Sequence, residues 1–116
     1  MEIKTLNLIQ FRNYEKQTFH FHPLVNIIIG DNAQGKTNIL EAIYLLSTTR
    51  SFKSRMLDEI IMFDQSYTRV SGHVVNGTRP YDLKVVVSKE GKKAFINDKA
   101  VSKTSDYLGY FNVILF

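Results

Sequence analysis

Cysteine is missing from this sequence, and so are long apolar runs. Without cysteine the chain can form neither a disulfide framework nor a cysteine-based zinc site, which agrees with a cytoplasmic protein. No apolar run approaches the roughly 18 residues that a membrane-spanning helix needs, so we expect no membrane partner. The six glycines and two prolines form no low-complexity tract or linker. Nothing marks an internal boundary, and we expect residues 1–116 to form one domain or part of one.

Charge and hydrophobicity describe what the sequence does contain. Hydrophobic residues make up 44% of the chain, enough for one core. Lysine and arginine number 15 against 11 aspartates and glutamates, and the net charge of +4 modestly favours an anionic partner. The final run "YFNVILF" stays apolar up to Phe116, whereas natural chains seldom stop inside a buried strand. We therefore expect this sequence to be a piece of a longer protein.

The apolar pattern predicts strands around one central helix. Alternation predicts strands over residues 3–11 and 16–22, and the continuous apolar run in 24–30 predicts a strand covered on both faces. From Thr37 to Ser47 apolar residues surround almost the whole circumference, so we expect a buried helix.

The second half of the sequence predicts an antiparallel β-meander. Its turn signals are Asn76–Gly77, Glu90–Gly91 and Asn97–Asp98. Residues 57–65 fit either a short helix or a strand. Residues 104–111 predict one or two helical turns with Thr104 or Ser105 as cap, followed by a last apolar strand.

Residues 30–37, "GDNAQGKT", match the pattern G-x-x-x-x-G-K-[ST] of a phosphate-binding P-loop. A polyphosphate needs several backbone N–H groups aimed at one point, and a loop closing onto a helix N-terminus supplies them together with the helix dipole. Gly30 and Gly35 let the backbone approach the phosphates. A chance turn carries these four fixed residues in roughly one of a few hundred sequences. The motif also follows a predicted strand and opens a predicted helix, so we predict nucleotide binding.

The P-loop pattern assigns roles to individual residues. Lys36 is expected to reach the β- and γ-phosphates, and the Thr37 hydroxyl to help ligate Mg²⁺. The predicted nucleotide-binding residues of this segment are Gly30, Asp31, Asn32, Ala33, Gln34, Gly35, Lys36, Thr37 and Asn38.

A second carboxylate for the metal ion is harder to find. The letters "IIMFD" over 60–64 imitate a Walker B strand, but Gln65 follows Asp64 where an acidic base would be expected. The same letters fit a short helix that packs Ile60, Ile61 and Phe63. We prefer the helix and expect the true Walker B motif outside this sequence.

A guanine-nucleotide enzyme would need D-x-x-G after a buried strand. Asp106 and Gly109 match those letters, but "VSKTS" before them is no buried strand, and N-K-x-D is absent from the sequence. We interpret this match as chance.

Three segments flanking or containing the P-loop resemble the RecF family of bacterial DNA replication and repair proteins. They are "LNLIQFRNY" (6–14), "IIIGDNAQGKTNILEAIYLLSTTRSFKS" (27–54) and "NVILF" (112–116). The resemblance covers essentially the whole chain and extends to the related Rad50 and SMC ATPase heads. One departure is Ala33, where the wider SMC-like group often has glycine, so this position should not require a positive φ.

The resemblance implies an α/β fold: lobe I of an ABC-type P-loop ATPase head, with a mixed sheet around the P-loop helix plus an antiparallel β-meander. Residues 1–116 would be a partial domain, with lobe II and the Walker B and signature region outside the chain. In such heads two ATP molecules lie between two subunits, which implies an ATP-dependent homodimer of the full-length protein. By position, Arg12 and Asn13 would lie near the ribose or α-phosphate.

The resemblance also implies ATP and Mg²⁺ as cofactors, and single-stranded or gapped DNA and recombination-mediator proteins as partners. The chain would be the ATP-binding part of a protein that supports recombinational repair in the cytoplasm. The parent protein would be a weak DNA-dependent ATPase. We expect this chain alone not to hydrolyse ATP, because a base and a second metal ligand would lie outside it.

Arg50, Lys53 and Arg55 form a compact basic cluster around Phe52. Three cations beside an aromatic ring can hold a DNA backbone and stack a base, so this cluster is the candidate DNA contact. The alternative is a solvated loop with Phe52 in the core. The lysines of the meander, at 84, 89, 92, 93, 99 and 103, fit a solvated sheet face better than a DNA surface.

Two further groups of polar residues have structural explanations. His20, His22 and His73 lack a fourth ligand at metal-site spacing. Glu41, inside a buried helix, predicts a basic side chain as its structural partner.

The alternative function is a self-contained P-loop kinase or GTPase with a small substrate. Asp64 separates the two hypotheses: an enzyme needs it beside the P-loop on a central strand, whereas a peripheral position favours the partial ATPase head.

Overall fold

One antiparallel sheet carries a long helix on one face. The computed structural model describes residues 2–21, 33–51 and 56–108, and of residues 33–36 only the backbone. The described strands are β1 (Glu2–Phe11), β2 (Tyr14–His20), β3 (Tyr67–Asn76), β4 (Arg79–Ser88), β5 (Gly91–Ile96) and β6 (Lys99–Val101). They lie in the order β2-β1-β3-β4-β5-β6, and each neighbouring pair is antiparallel. The helices are α1 (Ala33–Thr48), a 3₁₀ helix (Leu57–Ile60) and α2 (Thr104–Tyr107).

The predicted meander is confirmed by strands β3 to β6. Its turns lie where the turn residues predicted them, with Gly77 at a φ of 67° between β3 and β4. Asn97 and Asp98 both have positive φ, 50° and 66°, and form the two-residue connection between β5 and β6. Such backbone angles match the twist of the flanking strands, and asparagine and aspartate tolerate them better than most residues. The strands predicted over 24–30 and 112–116 lie outside the described residues.

Helix α1 is buried on nearly all sides, as predicted. Its less covered positions, 37, 40, 44 and 48, fall on one stripe at helical spacing, and the positions between them are buried. The helix begins at Ala33, four residues before the predicted start at Thr37. The predicted start was wrong because the second half of the P-loop motif already has helical backbone.

Close contact between α1 and the sheet depends on a glycine in β3. A Cβ atom at Gly72 would lie 2.7 Å from Leu46 Cδ2 and 2.8 Å from the backbone oxygen of Thr5. Both distances are shorter than real Cβ contacts, and the second neighbour is backbone that cannot turn aside. Glycine therefore lets the helix approach the sheet. The core fills the rest of this face with the buried side chains of Leu6, Leu8, Val70, Val74, Leu83, Val85 and Val87.

Residues 57–65 combine both predicted structures. Ile60 ends the 3₁₀ helix and is fully buried, and Ile61 then pairs with Phe11 in an isolated bridge. Phe63 is 94% exposed, so the prediction that it packs into the core was wrong. The chain turns immediately after the bridge, with Asp64 at a φ of 65°, and this turn carries the ring away from the core.

Helix α2 begins after Lys103, so the predicted caps Thr104 and Ser105 lie inside it; Lys103 makes no side-chain capping bond. Its last residue, Tyr107, is buried, and its hydroxyl donates a hydrogen bond of 2.6 Å to the backbone oxygen of Leu46 in α1. Burial raises the pKa of the Tyr107 hydroxyl well above its ordinary value of 10.0. Among the described residues, no helix is long and apolar enough to cross a membrane.

Replacing Tyr107 with phenylalanine tests this contact. We expect a loss of roughly 1 kcal/mol at neutral pH, because Leu46 loses a buried hydrogen-bond donor. Above about pH 10 the unfolded tyrosine releases its proton while the folded one keeps it, so wild-type stability falls as pH rises and the variant lacks this component. Urea unfolding from pH 7 to 11 measures both effects. Tyr67→Phe, at an exposed tyrosine, is the control; equal pH dependence of wild type and Tyr107→Phe would contradict the assignment.

Candidate functional site

The described part of the P-loop motif forms the first turn of α1. Ala33 to Lys36 have helical backbone there, and Gly30 to Asn32 lie outside the described residues. Thr37 is half-buried and Asn38 is 3% exposed. The first turn of a helix has backbone N–H groups without intrahelical acceptors, and these are the groups that bind phosphate. The described backbone thus agrees with one part of the prediction, that the motif opens a helix.

The turn between β1 and β2 lies beside this helix. Its two residues, Arg12 and Asn13, are those that the family resemblance connected with the nucleotide. Asn38 Nδ2 is 3.5 Å from Asn13 Oδ1, a long hydrogen bond, and Arg12 contacts α1 one turn further on. The fold thus brings two predicted site residues, Asn13 and Asn38, together across 25 positions of the sequence, and Arg12 lies next to Asn13.

A buried carboxylate holds the Arg12 side chain. Arg12 Nε donates to Glu41 Oε1 at 2.7 Å, and Nη2 donates to Oε2 at 2.8 Å, so the pair is bidentate. The Glu41 side chain is fully buried and that of Arg12 is 23% exposed. These hydrogen bonds raise the pKa of Arg12 above its ordinary value against the opposing effect of burial, and the charges of Glu41 and Glu59 act in the same direction as the hydrogen bonds. The prediction that Glu41 has a basic structural partner is confirmed.

The backbone of Arg12 is fixed as well as its side chain. Arg12 has a φ of 52°, in the left-handed region that arginine seldom adopts. Its N–H donates to the backbone oxygen of Ile60 at 2.8 Å, and the N–H of Met62 donates to the backbone oxygen of Gln10 at the same distance. Strained backbone persists only where the surrounding structure determines it, and such positions concentrate at functional sites.

The segment after α1 contributes a contact that the sequence did not predict. Ser51 Oγ donates to Glu41 Oε2 at 2.5 Å. Ser51 belongs to the "RSF" letters of the family resemblance, but no periodicity or motif connected it with a glutamate ten positions earlier. Chain reversal at Thr49, which has a φ of 64°, directs the segment back toward the helix.

A second missed contact lies at the C-terminus of α1. Lys92 Nζ, from β5, donates to the backbone oxygen of Thr49 at 3.0 Å. A cation at this end of a helix interacts favourably with the helix dipole. Burial and, secondly, repulsion from Arg50 lower the pKa of Lys92 below its ordinary value of 10.5. Arg50 and Lys92 therefore concentrate positive charge where α1 ends.

The candidate DNA residues are only partly described. Arg50 is exposed, whereas Lys53 and Arg55 lie outside the described residues, as does Phe52. Among the meander lysines, Lys84 lies 4.5 Å from the centre of the Phe95 ring and 3.6 Å from Asp98. That lysine has structural partners, as expected for a sheet face.

The histidines do not form a metal site among the described residues. His73 Nδ1 lies 2.7 Å from Asp82 Oδ1 on the neighbouring strand, and His22 lies outside the described residues. In the described part of the chain, no three histidine, aspartate or glutamate side chains are grouped so that they could hold a metal ion.

Asp64 occupies an exposed turn after the 3₁₀ helix and the isolated bridge. It is therefore not at the end of a central strand, where a Walker B aspartate belongs. Asp106 is exposed in α2, and Gly109 lies outside the described residues. These positions agree with the interpretation of both motifs as chance matches and disfavour the small kinase or GTPase.

The antiparallel sheet and the helix that the P-loop motif opens have the α/β fold of a P-loop ATPase head. The chain belongs to the RecF/RecN/SMC N terminal domain family, whose model matches residues 2–115. It is 42% identical to the DNA replication and repair protein RecF of Bacillus pumilus and 46% identical to that of Lactobacillus acidophilus, each over 116 residues. All of the chain is covered in both comparisons, but it spans only 31% of each relative's length.

Solved structures agree with this family. A structure of the recombination mediator protein RecF with ATP, in the RecFOR pathway, superposes with a TM-score of 0.88 at 36% identity. It covers 98% of this chain, which corresponds to 31% of that chain. The SMC head domain from Thermotoga maritima superposes with a TM-score of 0.67 at 21% identity, over 91% of this chain and 40% of that one, and this likeness concerns the fold alone. The predicted fold class and the family resemblance are confirmed.

A double-mutant cycle measures the Arg12–Glu41 pair. Arg12→Met leaves a buried carboxylate without its ionic partner, which we expect to cost about 3 kcal/mol or more in unfolding free energy. Adding Glu41→Leu should restore most of the loss, because no buried charge is then left uncompensated.

Urea unfolding of wild type, both single variants and the double variant gives the coupling energy. Lys4→Met is the matched control, because both side chains of its ion pair with Glu2 are still reached by solvent and such pairs contribute about 1 kcal/mol or less. Additive effects of Arg12→Met and Glu41→Leu would show that the pair does not stabilise the fold as described.

Proposed function

We propose that this chain is the ATP-binding part of a DNA replication and repair protein that binds single-stranded and gapped DNA and supports recombinational repair in an ATP-dependent way. The observation that carries the proposal is the P-loop motif running into the first turn of α1, directly beside the Arg12–Asn13 turn. Two similar proteins support the proposal. One is named DNA replication and repair protein RecF, and the other is a solved structure of RecF with ATP.

In this proposal the P-loop residues 30–38 surround the phosphates of ATP. Backbone N–H groups at the start of α1 and the Lys36 ammonium bind the β- and γ-phosphates. Arg12 and Asn13 lie near the ribose or α-phosphate, and the contact between Asn13 and Asn38 supports a position close to the phosphate loop.

The Thr37 hydroxyl is the proposed protein ligand of Mg²⁺. A hydroxyl oxygen suits this hard cation, and Thr37 occupies the first described turn of α1 with a half-buried side chain. When bound, Mg²⁺ would supply positive charge that offsets the negative charge of the phosphates. Thr37 would orient the ion, and the helix N-terminus would orient the phosphates.

The chain accounts for one lobe of the proposed ATPase head. It spans 31% of the curated relatives it matches, and lobe II, the Walker B carboxylates and the signature motif belong to the remainder in our proposal. Hydrolysis needs those carboxylates and an opposing signature motif, so the chain alone binds ATP without hydrolysing it. The full-length protein would form an ATP-dependent homodimer in the cytoplasm and act with recombination-mediator proteins, which agrees with the RecFOR pathway named for the structural relative.

Lys36→Ala tests ATP binding. The variant should fold like wild type but lose at least several-fold in ATP affinity, because the ammonium contributes charge-assisted hydrogen bonds to the phosphates. Isothermal titration with ATP and Mg²⁺ measures the affinity, and circular dichroism checks the fold. Lys16→Ala removes the same charge from an exposed position of β2 and should bind like wild type. Equal ATP affinity in Lys36→Ala and wild type would remove the functional interpretation of the motif.

The basic residues after α1 are the proposed DNA contact. Replacing Arg50, Lys53 and Arg55 together with alanine should flatten the plot of log K against log salt by up to about 0.7 for each phosphate contact to single-stranded DNA that is removed. Fluorescence anisotropy with labelled single-stranded DNA at several salt concentrations measures the slope.

A matched variant removes three exposed cations elsewhere, Lys16, Lys99 and Lys103. It should retain the wild-type slope. If instead this variant flattened the slope and the other did not, the DNA surface would be on the sheet and not on the segment after α1.

A further inference from the structure

Phe63 is the most exposed of the large hydrophobic side chains in the described part of the chain, at 94%. Its ring and that of Tyr67, which is 38% exposed, line a groove of about 900 Å³. The groove lies between the turn that follows the 3₁₀ helix and the turn that joins β4 to β5. Single exposed hydrophobic residues are common, but two aromatic rings that share a groove of ligand size mark a candidate interaction surface.

The turn that presents Phe63 is fixed by backbone hydrogen bonds. The N–H of Met62 donates to the backbone oxygen of Gln10 in β1 at 2.8 Å, and the N–H of Gln65 closes the turn on the oxygen of Met62 at 3.0 Å. Asp64, between them, has a φ of 65°, a left-handed conformation that aspartate tolerates in turns better than most residues do. A ligand therefore meets Phe63 on an ordered turn, and the cost of ordering the backbone on binding is small.

The apolar part of the groove continues from the ring into the sheet. Ile61 and Met62 are half-buried and line it beside Phe63. Tyr67 begins β3 and pairs with Ser88 at the end of β4, so these two strands connect the turn with the opposite side of the groove. The surface thus offers aromatic and aliphatic contacts on backbone that belongs to the sheet or is bonded to it.

Charge distinguishes this groove from the rest of the chain. Three carboxylates line it, those of Asp58, Asp64 and Glu90, against one ammonium, that of Lys89. The chain as a whole carries a net charge of +4. Ser88 Oγ donates to Glu90 Oε2 at 3.1 Å, and Glu90 stays exposed. An acidic surface on a basic chain attracts cations and repels phosphates.

We propose that this Phe63 groove, residues 58, 61–67 and 88–90, binds a short basic segment of a partner protein in which arginine or lysine alternates with apolar residues. A cation over the Phe63 ring is attracted by the electron-rich face of the ring, and the carboxylates beside it offset its charge. The apolar residues of the segment contact Ile61, Met62 and Tyr67. The inference uses a surface that has no part in the proposed function, so either can fail without the other.

Two other occupants fit the charge of the groove less well. A second copy of this chain, related by a two-fold axis, would place the same patch on both sides of the contact. The carboxylates of Asp58, Asp64 and Glu90 would then face those of the other copy, and like charges in contact repel. A nucleic acid would bring its phosphates against the same carboxylates. A cationic peptide segment meets opposite charge.

The experiment titrates the chain with two fluorescein-labelled octapeptides and measures fluorescence anisotropy. One peptide alternates arginine with leucine, and in the other glutamate replaces each arginine. The arginine peptide is expected to bind at least about ten-fold more tightly, and its affinity should fall as salt is raised. Because the chain and the arginine peptide both have a positive net charge, overall attraction does not explain such binding. No binding of the arginine peptide, or equal binding of both peptides, would overturn the proposal.

Substitution of Phe63 tests the ring. Phe63→Ser should weaken binding of the arginine peptide about ten-fold, because aromatic side chains are prominent among the residues that dominate binding energy at interfaces. Phe63→Tyr keeps an aromatic face and should retain the wild-type affinity. Since 94% of the side chain is exposed, neither substitution should alter the fold, which circular dichroism checks. Leu108→Ser, at an exposed apolar residue outside the groove, is the control. Wild-type affinity in Phe63→Ser would place the peptide elsewhere and contradict the assignment.

Asp64→Asn tests the acidic side of the groove. It removes one carboxylate and keeps a residue that tolerates the left-handed turn, and we expect it to weaken the arginine peptide about three-fold or more. Asp98→Asn is the matched control, because Asp98 is also an exposed aspartate with a positive φ, 66°, but lies outside the groove. It should bind like wild type. Equal losses in the two variants would reduce the effect to net charge and remove the role of the groove.

Three further measurements identify the other occupants, and each positive result would overturn the proposal. In sedimentation velocity, a wild-type dimer that Phe63→Ser converts to a monomer would assign the groove to a second copy. Loss of labelled oligothymidylate binding in Phe63→Ser would assign it to nucleic acid. A full-length protein that contains this chain should bind the arginine peptide as the chain does, and absence of binding there would show that the remainder of the protein covers the groove.

Discussion

The ion pair between Arg12 and Glu41 is the interaction on which the arrangement of this molecule depends. It joins the turn at the end of β1 to the middle of α1, so the sheet and the helix are fixed relative to each other by charge as well as by packing. Because the pair is buried, removing either side chain leaves the other as a buried charge without a partner, which lowers the free energy of unfolding. Arg12 also has a left-handed backbone conformation at this point, and such strain persists only where the surrounding structure determines it.

Other contacts also hold α1 in its place against the sheet. Gly72 lets α1 approach the sheet, and the contact of Tyr107 with Leu46 fastens the C-terminal half of the helix to α2. Lys92 adds a bond to the helix end from the far side of the meander. Within the described residues, helix α1 is therefore held along its length by groups from four separate segments. Residues on helices and strands hold the geometry of a binding site more precisely than residues on loops do.

Positive charge is presented at both ends of α1. The first turn offers backbone N–H groups, while Arg50 and Lys92 concentrate positive charge at the last turn. A buried acid between these ends is costly unless it has a task or a partner. Here its partners, Arg12 and Ser51, come from the β1–β2 turn and from the segment after α1.

The sequence by itself determined the P-loop, the buried character of α1, the meander and its turns, because each is encoded in neighbouring residues: spacing, periodicity and turn chemistry. It also indicated a basic partner for Glu41, since an acid in an apolar helix requires one. Only the tertiary structure decided that this partner is Arg12, that Ser51 also donates a hydrogen bond to Glu41, and that Phe63 faces solvent. The two contacts of Glu41 join residues 29 and ten positions apart, and no local pattern specifies which distant side chain fills a given place.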